Sequence, residues 1–178
     1  MKAIMLLSLS LLVAVFSQLV SAEGSKYQIE LLVFSQGVPT TEVFEQTESL
    51  IHWPTALTEL AANQYVENKA LSNGAATLLK NTGYQVIVHH AWIQSTGPGG
   101  VILPAHIQST DGRLDGYIHL RDRQSLELIV DLEHRQLQTD SSGKPYRYHL
   151  HEKRPIKLNE IEYLDHPKLG VLAVVKVI

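Results

Sequence analysis

From Tyr117 onward the chain alternates between apolar and polar positions. Ile118 and Leu120 point one way, and Tyr117, His119 and Arg121 the other. Leu126, Leu128, Val130 and Leu132 line one face against Glu127, Asp131, Glu133 and Arg135. Tyr146, Tyr148 and Leu150 oppose Arg147, His149, His151 and Lys153. A period of two with one polar face predicts antiparallel strands that are wet on one side. Asp131 and Glu133 then read as ordinary surface charge. Ser141-Ser142-Gly143 predicts a hairpin turn, and Gly116 to Asp122 is a candidate edge strand open to a partner.

The first half follows another rhythm. Tyr27 to Phe34 (YQIELLVF) is apolar on both faces at its far end, as in a strand of a sheet covered on both sides. A long polar stretch, Ser35 to about Asn68, contains Trp53, Leu57, Leu60 and Ala61 at a spacing that fits a short helix. Ala70 to Thr82 places Leu71, Ala75, Leu78 and Leu79 on one helical face. Tyr84 to Gln94 reads as a strand, and Ser95 to Gly112, with its Gly and Pro residues, as a long connection. Val171 to Ile178 is apolar on both faces and predicts a central closing strand beside Tyr27–Phe34 or Tyr84–Gln94. The expected fold class is α+β: a mostly antiparallel β-sheet with an N-terminal β-α-β unit and helices covering one face.

The N-terminus reads as an export signal. Lys2 precedes an uncharged apolar run from Ile4 to Val20, and Val20-Ser21-Ala22 fits a cleavage site. The run is shorter than the roughly 20 apolar residues of a membrane span. The expected organisation is a signal peptide over residues 1–22 and a single domain over 23–178, with no integral membrane span after cleavage and a periplasmic location. Loss of Lys2 takes the net charge from −3 to −4, which argues against a nucleic-acid partner. There is no cysteine. Thiol nucleophiles, thiolate metal sites and disulfides are therefore excluded.

Nine histidines are the most suggestive chemistry. His149 and His151 lie two apart on a strand and share a face, with His119 a candidate third imidazole from a neighbouring strand. That spacing makes a periplasmic metal-binding protein the alternative reading, although Arg147 and Lys153 flank the pair with charge that opposes a cation. No Gly-x-Ser-x-Gly or His-Glu-x-x-His motif is present, and no catalytic residue or cofactor is expected. The polar, partly basic face of Arg147, His149, His151 and Lys153 suits the carboxylates of peptidoglycan stem peptides, with an aromatic ring nearby to stack on sugars. Trp53 and Trp92 read as core residues.

Several segments resemble one known family. These are YQIELLVF at Tyr27, GYQVIVHHAWIQ from Gly83, Leu114-Asp115-Gly116-Tyr117-Ile118, Val130-Asp131-Leu132, and above all EYLDHPKLGVL from Glu162. Together they resemble the CsiV family of periplasmic peptidoglycan-binding proteins. The resemblance implies a non-enzymatic accessory protein. It would bind peptidoglycan and support cell-wall assembly through a lipoprotein activator of a class A penicillin-binding protein. In place of a basic Arg-Arg-x-Arg run, this chain has Lys153-Arg154-Pro155-Ile156-Lys157. The candidate binding residues are Arg147, His149, His151, Lys153, Arg154, Asp165 and His166. Asp165-His166-Pro167 also reads as a turn that positions the closing strand.

Overall fold

The structure is a computed structural model that describes residues 24–37, 44, 46–67 and 70–178. The expected signal peptide lies outside the described residues. Among the described residues, no helix is long and apolar enough to cross a membrane.

Eight strands dominate: β1 (Lys26–Gln36), β2 (Tyr84–Ser95), β3 (Ala105–Gln108), β4 (Leu114–Asp122), β5 (Leu126–Thr139), β6 (Pro145–Pro155), β7 (Ile161–His166) and β8 (Leu169–Val177). They form two four-stranded sheets, one ordered β2-β1-β8-β7 and the other β3-β4-β5-β6. All strand neighbours are antiparallel. The inner faces pack on each other. Ile29, Leu31 and Val33 of β1, Trp92 of β2 and Val171, Ala173 and Val175 of β8 share one core with Ile107, Ile118, Leu120, Leu128, Val130, Leu132 and Leu150.

This two-sheet sandwich corrects the expected fold class. The apolar faces of the second-half strands are covered by the other sheet, not by helices. The one α-helix among the described residues, α1 (Ser72–Leu79), is short. It reaches only a patch of the outer face of the first sheet, where Leu71 and Ala75 meet Leu32, Phe34 and Val174. The β1-α1-β2 segment is not a parallel crossover unit, because β1 and β2 are antiparallel neighbours. The doubly apolar pattern of Tyr27–Phe34 is explained by the sandwich core on one side and α1 on the other. The closing strand pairs with β1, as its composition predicts.

Two further expectations are corrected. Residues around Trp53 and Leu57 are extended, and the turn that follows is a short 3-10 helix at Ala62–Gln64. The Gly- and Pro-rich connection contains β3, which is only four residues long. β3 pairs with Asp115–Ile118 of β4, so the first part of the expected Gly116–Asp122 edge is covered, and the pairing does not extend to His119–Asp122. The 58–66 segment instead lies along two sheet edges. Thr58 bonds to Pro104 and His106 of β3, and Val66 donates to Ala91 of β2.

α1 is anchored by a carboxylate from another strand. Glu30 is 2% exposed on the outer face of the first sheet. It accepts the amides of Ala70 (2.8 Å) and Leu71 (2.9 Å), and His89 Nε2 lies 2.9 Å away. Leu71 cannot cap the helix with its own side chain, and Glu30 instead takes up the amides of Leu71 at the N-cap and of Ala70 just before it. Burial alone would raise the Glu30 pKa. The His89 hydrogen bond and the two amides outweigh it and hold the pKa below the ordinary 4.5. A depressed carboxylate stabilises the fold above its unfolded pKa and loses that contribution as pH falls through the folded value. Glu30→Gln should therefore cost about 2 kcal/mol at pH 7. Urea unfolding should show the gap to wild type closing as pH falls below 4.5.

Candidate functional site

The outer face of the second sheet carries most of the polar residues. Register places Asp131 opposite His151, Glu133 opposite His149 and Arg135 opposite Arg147 across β5 and β6. Tyr117 lies opposite Asp131 across β4, and His106 opposite Tyr117 across β3. Arg147, His149, His151 and Lys153 thus share a face, as alternation predicts.

That face is not freely solvated. The segment 46–58 crosses it as a strap, from the edge of β6 to the edge of β3. The Arg147 amide donates to Gln46 O at 2.7 Å, and Arg147 Nε to Thr47 O at 3.0 Å. The Leu50 amide donates to Glu133 Oε1, and Gln46 Nε2 lies 3.5 Å from the same oxygen. The His52 amide approaches Asp131 Oδ2 at 3.4 Å. Trp53 then meets His106 and Tyr117 at ring distances of 5.7 and 6.2 Å. Thr58 finally pairs with Ala105 of β3.

Beneath the strap lie two buried acids. Asp131 is 0% exposed and Glu133 1%. This corrects the reading of both as surface charge. Each has partners that offset its desolvation. Glu133 faces Arg147 Nη1 at 3.2 Å in addition to the strap amides. Asp131 Oδ1 lies 2.7 Å from His149 Nε2, and Oδ2 lies 3.1 Å from His151 Nδ1. Tyr117 lies opposite Asp131 across the β4–β5 register, and burial and then the Asp131 charge push its pKa upward. Gly116, directly before Tyr117, has φ +146°, and a Cβ there would stand 2.8 Å from Leu132 Cα. Only glycine lets β4 approach β5 this closely behind Asp131.

At the β3 end of the face, His106 sits between Glu59 (2.8 Å) and Asp115 (2.7 Å). Burial would lower its pKa, but the hydrogen bonds and charges of both carboxylates raise it overall. Trp53 leans on this cluster and remains 46% exposed, which corrects its reading as core. Trp92 is fully buried, as expected.

The other candidates separate from this group. His119 Nε2 faces Ile102 O at 3.0 Å, away from the pair. Arg154 pairs with Glu152 and donates to Tyr163 O at 2.7 Å, which ties β6 to β7 across the open side of the sandwich. Asp165 accepts from Tyr163 Oη (2.7 Å) and Gln36 Nε2 (2.8 Å). His166 stacks near Phe44 and Tyr148, with rings 5.0 and 5.9 Å away, and its Nδ1 faces the Lys168 amide at 3.2 Å. Both lie at the β7–β8 hairpin on the first sheet, in the turn role that the sequence suggests. Sequence reading missed Trp53, Tyr117, Asp131, Glu133 and His106. The only signal for them was two acids in phase with the basic residues of a neighbouring strand.

A family model described as peptidoglycan-binding protein, CsiV, matches residues 58–178, more than half of the chain. The chain belongs to the CsiV family. The match covers all strands except β1, and so the whole sheet that carries the strapped face. Neither a curated protein nor a solved structure matches the chain.

The pairing pattern separates two basic residues of this face. Arg147→Ala leaves Glu133 buried beside no cation and should cost about 3–5 kcal/mol. Lys153 is half-exposed and pairs at 3.1 Å with Glu127, near the surface. Lys153→Ala should change stability by less than about 0.5 kcal/mol. Urea denaturation midpoints check both.

Proposed function

We propose that this protein binds peptidoglycan in the cell envelope as a non-enzymatic accessory factor, and that the strapped face of the second sheet is the binding surface. The observation that carries the binding reading is the CsiV family match over residues 58–178. The geometry then favours this face over the rest of the surface. Trp53 presents a half-exposed indole beside His106 and Tyr117, which suits stacking on the apolar face of a sugar ring. His151 and Lys153 are each about half-exposed on the same face and suit the carboxylates of stem peptides. Arg147 and His149 are mostly buried and hold the acids and the strap in place. Arg154, Asp165 and His166 shape the neighbouring strand edges and the hairpin.

A periplasmic location after removal of residues 1–22, and action through a lipoprotein activator of a class A penicillin-binding protein, complete the proposal. Both rest on the N-terminal apolar run and on the family resemblance of Glu162 to Leu172.

Co-sedimentation with isolated sacculi tests the binding surface. Wild type should pellet with sacculi without releasing soluble muropeptides. Trp53→Ala should bind about tenfold more weakly, the effect of losing one stacked ring, and His151→Ala with Lys153→Ala should weaken it further. Failure of wild type to pellet would overturn wall binding. Unchanged pelleting of these variants would move the site elsewhere, and muropeptide release would contradict the non-enzymatic reading.

A further inference from the structure

We propose that Asp131, His149 and His151 form a binding site for a divalent transition-metal ion of the zinc class. The site shares His151 with the face proposed to bind the wall, but it does not need that reading to be correct.

Three ligand atoms converge there. The side chains of Asp131, His149 and His151 each offer one donor atom, and these atoms all lie within 4.8 Å of one another. Asp131 Oδ1 is 2.7 Å from His149 Nε2, and Oδ2 is 3.1 Å from His151 Nδ1. Tetrahedral zinc with bonds of about 2.0–2.2 Å spaces its ligands roughly 3.3 Å apart. The Asp131–His149 and Asp131–His151 pairs therefore need to open by about 0.6 and 0.2 Å, while donor atoms that stand up to 4.8 Å apart draw together around the ion. One carboxylate and two imidazoles are also the donor set that zinc and its neighbours in the transition series accept.

The surroundings favour a cation there. Asp131 is fully buried, and burial strengthens the attraction of its charge for a metal. Arg147 and Lys153, which flank the histidines in sequence, turn to other acids. Arg147 Nη1 is 3.2 Å from Glu133, and Lys153 Nζ is 3.1 Å from Glu127. Their positive charge is thus offset, and neither side chain occupies the space between the imidazoles and Asp131. Tyr117 of β4 stands opposite Asp131 in register, a polar neighbour of the kind found beside metal carboxylates. His151 is 51% exposed, so the ion has an entry path and its fourth position faces solvent. His52 reaches Asp131 through its backbone amide, so an ion at this carboxylate would also bear on the strap.

The test is titration of the chelator-treated full protein with Zn²⁺ alone, followed by calorimetry and by melting temperature. One equivalent should bind with saturation, and the melting temperature should rise as it does so. His151→Gln changes a half-exposed side chain and leaves the fold in place, which circular dichroism checks. It should weaken Zn²⁺ binding by at least about tenfold. His89→Gln, which lies on the other sheet, should bind as wild type does. With Cu²⁺ as probe, electron paramagnetic resonance should show two imidazole nitrogens in wild type and one in His151→Gln. Absence of saturable one-equivalent binding overturns the proposal. So does binding that persists unchanged in His151→Gln, or a Cu²⁺ spectrum identical in the two proteins.

Discussion

A carboxylate on the outer face of a sheet can be buried only if donors are brought to it from above or from the side. Asp131 and Glu133 impose that requirement here, and much of the second sheet is arranged around it. The strap supplies backbone amides from Leu50 and His52, and β6 supplies Arg147, His149 and His151. Each donor has another consequence. The amides hold the strap on the sheet, and the strap in turn sets Trp53 over His106 and Tyr117. An extended segment rich in polar residues, with little core of its own, thereby becomes a fixed surface.

The same solution appears on the opposite side of the molecule. Glu30 is buried under the start of α1 and takes its donors from Ala70, Leu71 and His89. On each outer face a buried acid thus tethers a segment that lies over part of it, while the inner faces meet mainly through apolar packing. With no cysteine in the chain, no disulfide assists. Hydrophobic burial joins the two sheets, and carboxylates attach the segments that cover them. The family match begins at residue 58, the last residue of the strap. It covers the acids and their β6 partners, but not Trp53 or the amides of Leu50 and His52.

Alternation made most strands and the β5–β6 hairpin legible, because a period of two reports directly which side is buried. It misled at the fold class because it says that a face is covered, not by what. Leu128, Val130 and Leu132 fit a helix layer or a second sheet equally well. The strap was invisible for a related reason. Trp53, Leu57 and Leu60 match a helical spacing, but Leu50 and His52 commit their backbone amides to acids from a distant strand, and such contacts leave no periodic trace. Asp131 and Glu133 sit where surface charge is expected, and only the tertiary cover makes them interior. For the site, the shared face of Arg147, His149, His151 and Lys153 followed from strand geometry. The division of that face into supporting and presented residues did not, since it depends on which acids each one meets.

If the wall meets this protein at the strapped face, soluble peptidoglycan fragments added to the labelled protein should move the NMR shifts of that face. The shifts should concentrate at the Trp53 indole, His106, Tyr117 and His151, with the outer face of the first sheet around Glu30 and His89 unaffected. Saturable shifts confined to the first sheet, with the Trp53 indole signal unmoved, would contradict that placement.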